Sequence, residues 1–173
     1  MSACKPLRIA LHPDESEGPR ANLIASAAGD WNWKTVKALN RRGALVAMVE
    51  SDPDIWIRWR PASLMAGFRH GGASRRVPTM GQQVLDLRYR PGDPRRCTVE
   101  ISELALEQHV AGRVIKHEIG HALGLGHPAP NRGGGIMEAD LTEPVMITRR
   151  DRLDAWKLRC LGIVGYIERG GVA

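Results

Sequence analysis

The order of patterned segments predicts a mixed α/β domain. Three observations lead there. Short runs that alternate or are wholly apolar, as strands do, stand on both sides of a long stretch whose apolar residues recur three and four apart. A second long helical pattern follows the last of those runs. The chain has 173 residues, room for one core, and nothing in it reads as a linker, an internal repeat or a low-complexity tract. Residues 1–173 are therefore expected to form one domain.

The elements follow in order. PLRIAL reads as a first strand. From Arg20 to Asn40 the apolar positions Ile24, Ala27, Ala28, Trp31, Thr35 and Ala38 mark an amphipathic helix, and Gly43 after a basic last turn suits a left-handed stop. ALVAMVE is expected as a buried strand. DPDIWIRWR is expected as another, with Ile55, Ile57 and Trp59 alternating against Trp56 and Arg58. Residues 61–81, rich in Gly, Arg and Ser, read as a long loop. QQVLDLRYR and CTVEIS are the next strands, separated by the turn PGDP. Ser102 caps a helix, with Leu104 to Leu106 near its start, that continues through residue 117. A last helix is capped by Thr148, with Asp151 completing a capping box and Leu153, Trp156 and Cys160 at helical spacing.

Composition narrows the functional classes. Net charge is +6, and only five of the 25 basic residues are lysine. The arginine pairs (41–42, 75–76, 95–96, 149–150) are scattered and are not interleaved with aromatics, so nucleic acid is not expected as a partner. The longest apolar runs, GALVAM and HALGLG, are too short to span a bilayer, so no membrane partner is expected either. Near the start, Leu7 to Leu11 is the only apolar stretch and contains Arg8, which is no signal-peptide core. Localisation stays open between the cytoplasm and an export route not visible here. Cys4, Cys97 and Cys160 are odd in number and far apart, forming neither a disulfide framework nor a CxxC metal site.

Chemistry concentrates in HEIGHALGLGH, residues 117–127. On a helix, His117 and His121 lie one turn apart and project toward one point, a spacing at which two imidazoles bind zinc. Glu118, offset by about 100° around the axis, falls near the metal as a base rather than as a ligand. A straight helix could not deliver a third ligand six residues beyond His121. Gly124 accepts the positive φ of a sharp stop, and His127 then swings back as the third nitrogen donor. Gly120 is expected to allow close packing against the helix. Given this chain's six histidines and 19 glycines, a chance match to H-E-x-x-H-x-x-G-x-x-H is expected roughly once in twenty thousand such sequences. His12, His70 and His109 lack ligand spacing and read as ordinary solvent-facing residues.

The motif resembles the extended zinc signature of the metzincin metallopeptidases, and HALGLGH looks most like the matrixin branch. That resemblance implies one catalytic Zn2+ on His117, His121 and His127, with Glu118 as general base. It also implies a zincin fold: a mostly parallel twisted sheet with an antiparallel edge strand, two long helices, an active-site helix and a C-terminal helix. An upper sub-domain would span about 1–126 and a small lower one about 127–173. Metzincins carry a methionine turn beneath the metal. Met137, ten residues past His127, is preferred to Met146 because matrixin methionines follow the third histidine at short range. The chain departs from the family at Pro128, where matrixins usually have serine, astacins glutamate and snapalysins aspartate. No tyrosine stands beside Met137, since the only ones are Tyr89 and Tyr166. No matrixin-type calcium loop and no cysteine-switch propeptide is seen.

Three neutral nitrogens leave zinc one open position, as catalytic sites do. Water there would have its pKa lowered to about 7, and Glu118 would take its proton as it attacks a peptide carbonyl. The expected partner is a peptide or protein bound in extended form along Gln82 to Tyr89, with a side-chain pocket lined from Glu138 to Val145 and the enzyme monomeric. The alternative is a non-catalytic zinc-binding structural or interaction module, or a peptidase-like domain acting on cell-wall peptide or another amide.

Overall fold

The computed structural model describes residues 5–15, 18–38, 44–64, 67–69, 76–78, 81–85, 97–107, 109–128, 135–138, 146–161 and 167–169. Nine strands and four helices alternate among them. They are β1 (Leu7–Leu11), α1 (Pro19–Ala38), β2 (Val46–Met48), β3 (Ile55–Arg60), β4 (Gly67–Arg69), β5 (Arg76–Pro78), β6 (Gly81–Leu85), β7 (Cys97–Ser102), α2 (Glu103–Glu107), α3 (Ala111–Ala122), β8 (Leu125–Pro128), α4 (Arg149–Leu161) and β9 (Ile167–Arg169). The mixed α/β expectation holds. The main sheet runs β2-β1-β3-β7-β6, with β1 parallel to β2 and β3, and β3 parallel to β7. Among the described strands of that sheet only β6 is antiparallel, pairing with β7 from Gly81↔Ile101 to Leu85↔Cys97. β4 with β5, and β8 with β9, make two separate two-stranded sheets.

Alternation decides which face of the sheet is covered. Leu7, Ile9, Ile55, Ile57, Trp59, Val99 and Ile101 are buried and join one core with Ile24, Ala27, Ala28 and Trp31 of α1 and Val114, Ile115 and Ile119 of α3. The opposite face is mixed, with Ala10 and Trp56 beside charged residues. There Arg58 and Arg60 both donate to the buried Glu100, from Nε at 2.8 and 2.9 Å. Two side chains of α1 fix its neighbours. Trp31 Nε1 donates to the Lys116 carbonyl of α3 at 3.0 Å, and Asn32 accepts from the amides of Leu45 and Val46 while donating to the Val46 carbonyl. Thr35 and Ala38 lie on α1, but their side chains fall outside the description, as does Gly43.

Four expectations need correction. The helix expected to run from Ser102 into the histidine motif is two helices. Ser102 Oγ does accept from the Leu104 amide at 3.3 Å, but α2 ends at Glu107 and His109 takes φ +56°. In one straight helix Ala105 and Val114 would lie about 900°, hence a half-turn, apart; the break lets both reach the core. Second, residues 61–81 are not simply a loop but contain the β4–β5 pair and the start of β6. Strands of three residues are too short to show alternation. Third, ALVAMVE shrinks to β2, an edge strand on which Met48 is 42% exposed.

The fourth concerns the last helix. Its capping box forms as expected: Thr148 donates from N (2.8 Å) and Oγ1 (2.7 Å) to Asp151 Oδ2, and the Asp151 amide returns a bond to Thr148 Oγ1. The buried face, however, is Asp151, Arg152 and Ala155, whereas Leu153 stays outside the core. Arg152 takes its place there by donating to the carbonyls of Ile147 (2.7 Å) and Asp30 (3.1 Å). Arg159 binds Asp54 of the β3 approach at 3.2 Å, and Arg8 donates to the same carboxylate. Trp156 packs against the core as expected; the Cys160 side chain lies outside the description. No helix among the described residues is long and apolar enough to cross a membrane.

Candidate metal centre

α3 supplies two histidines and the glutamate; the chain beyond it supplies the third histidine. Seven residues of α3 are buried, including His117, Glu118 and Gly120. The helix stops after Ala122, the Gly124 amide donates to the His121 carbonyl at 2.9 Å, and Gly124 takes φ +94°. A side chain there would be strained in φ and would meet Leu158 of α4 at 3.3 Å. The reversal expected of Gly124 is present, and β8 then carries His127 back toward α3.

The three Nε2 atoms converge. His117 and His121 are 3.0 Å apart, and each lies 3.1 Å from His127. Nitrogens on a tetrahedral ion at 2.0–2.1 Å would be separated by about 3.3–3.4 Å, so the triangle is close to a ligand set. Proton placement points the same way. His117 Nδ1 lies 2.7 Å from the Ile136 carbonyl and His121 Nδ1 lies 2.8 Å from that of Leu125. A carbonyl only accepts, so both Nδ1 atoms carry the hydrogen and both neutral rings turn a bare lone pair inward. No proton is then left for the 3.0 Å approach of His117 and His121 Nε2, an arrangement that a bound cation would satisfy. Among the described residues these three histidines are the group able to hold one metal ion.

Burial sets the protonation states. It pushes His117 down to about 3, helped by the neighbouring His121 and opposed by the Ile136 carbonyl. His121 and His127 are also lowered, chiefly by burial. All three rings are therefore neutral donors at neutral pH. Burial lifts Glu118 to about 7.

In the metal-free chain these shifts tilt stability in opposite senses. His117 favours the fold above its ordinary value of 6.5, and that contribution is lost as pH falls toward 3. Glu118 favours the fold below its ordinary value of 4.5, and that contribution is lost as pH rises toward 7. Between those two ordinary values they offset one another. Glu118→Gln removes one side, so denaturant titrations of the metal-free variant are expected to lose more stability on acidification than the wild type, by about 1.4 kcal/mol per pH unit. Parallel curves would contradict the raised Glu118 value.

Of the two candidate methionines, Met137 is 1% exposed and Met146 is 75% exposed. Met137 belongs to a tight turn closed by the Glu138 amide on the Gly135 carbonyl (3.2 Å). Its Sδ presses on α3 where Gly120 has no side chain: a Cβ built there would stand 2.2 Å from it and 3.1 Å from Trp31. The same turn presents the Ile136 carbonyl to His117. Neither carbonyl partner of the histidines has a sequence signal, because a backbone acceptor can belong to any residue type. His109 is exposed, but His12 is half-buried, with Nδ1 3.4 Å from Asp14 and its ring edge-on to Trp56. His70 lies outside the described residues, as do 86–89 of the expected edge strand and 139–145 of the expected pocket.

No family model matches the chain, and no curated protein matches it.

Proposed function

We propose that this chain is a zinc-dependent endopeptidase of the metzincin type, with Glu118 as its general base. The observation that carries the reading is the convergence of three imidazole Nε2 atoms, with the buried Glu118 next to the first of these residues in sequence. His117, His121 and His127 would hold the zinc. When bound, zinc supplies the Lewis acidity that polarises a peptide carbonyl and acidifies water. Glu118, buried on the same helix, would take a proton from the attacking water and hand it to the leaving nitrogen. Met137 forms the methionine turn. β6, antiparallel and outermost in the sheet among the described strands, would offer backbone groups to an extended peptide.

A mixed peptide library tests this. Zinc-loaded protein is expected to cut internal peptide bonds, to stop when a chelator strips the metal and to resume when zinc is returned. Protein that binds zinc and cuts nothing favours a metal-bearing structural or interaction module.

A further inference from the structure

His117 and His121 each have a carbonyl that fixes the ring. His127 has no such carbonyl among the described residues. Its aim comes from the backbone of β8. That strand pairs in parallel with β9, Leu125 opposite Ile167 and Pro128 opposite Arg169. The two registers differ: β8 takes three steps between those pairs and β9 takes two, so the ladder shifts at Gly126–His127. An extra residue on one strand bends it and re-aims its side chains. The irregularity therefore falls on the residue that must turn inward.

The first β8–β9 pair also bears on the centre. The Leu125 carbonyl is the one that receives His121 Nδ1–H, so bracing Leu125 steadies a second ring. β8 is otherwise anchored by the end of α3 and by Leu158 of α4 against Gly124. Both helices also approach β8 itself, so β9 adds to their support along Leu125–Pro128. β9 pairs with the strand on the far side of His127, at Pro128.

We infer that β9 is a positioning element of the metal centre, its pairing with β8 setting the direction of His127 and the carbonyl that orients His121. The inference rests on the reading of the three histidines as metal ligands.

Proline at residues 167 and 168 tests it, because proline donates no ladder hydrogen bond. Zinc affinity of the full chain is measured by competition with a chromogenic chelator. Ile167→Pro/Glu168→Pro is expected to bind zinc about 10- to 100-fold more weakly than the wild type, as losses of outer support to a metal site do. Glu168→Ala, which keeps the amide, should stay within about twofold, since the pairing is made by backbone groups. Equal affinity in the wild type and the double proline variant overturns the inference alone. A wild-type chain that takes up no zinc overturns the metal reading and the inference with it. If the double variant fails to fold, hydrogen exchange on the zinc-loaded wild type decides. Protected amides within residues 125–127 support β9 pairing, and freely exchanging ones overturn it.

Discussion

Glu118→Gln is expected to lose peptide hydrolysis by about 10²- to 10⁴-fold while still holding zinc. Glutamine keeps the shape of the side chain but has no lone pair basic enough to take a proton from water. Among the described residues, the contacts that orient the ligands do not involve residue 118: His117 is set by the Ile136 carbonyl, His121 by that of Leu125, and His127 by its strand. Hydrolysis of a library-selected peptide and zinc affinity, measured on one preparation, check both halves. Wild-type hydrolysis in the variant would remove Glu118 from the chemistry. Loss of zinc together with activity would make it a structural support instead.

Gly120→Ala is expected to destabilise the fold although alanine is the better helix former. Helix propensity favours the change by about 1 kcal/mol. Against that, the new Cβ would lie 2.2 Å from Met137 Sδ and 3.1 Å from Trp31, both fully buried. Overpacking of this kind costs about 1–3 kcal/mol, so the clash outweighs the gain at most of that range. The displaced side chain belongs to the turn that orients His117, so zinc affinity should fall as well. A double-mutant cycle with Met137→Ala isolates the clash, because truncating Met137 removes the atom in the way. The pair should cost less than the sum of the single changes; simple additivity would show that Gly120 and Met137 do not press on one another.

What could be read from residues alone was what repeats locally. α1 and β3 announce themselves because burial on one face imposes a period, and Ile24, Ala27, Ala28 and Trp31, like Ile55, Ile57 and Trp59, keep it. Ligand spacing and the reversal at Gly124 are likewise local, fixed within eleven residues by helix geometry and one positive φ. Misreadings came where tertiary partners override pattern. α4 turns Arg152 inward because carbonyls from Ile147 and Asp30 receive it, which an apolar periodicity cannot anticipate. The break at His109 serves two faces that only the folded core defines. β9 meets β8 across some 40 residues of sequence by backbone pairing, which leaves no mark on side-chain choice.

X-ray absorption at the zinc edge of the metal-loaded chain tests the central claim most directly. The account predicts three nitrogen neighbours at about 2.0–2.1 Å and one oxygen from solvent, with His127→Ala removing one nitrogen. A fourth protein ligand in the coordination sphere, or a spectrum that His127→Ala leaves unchanged, would contradict it.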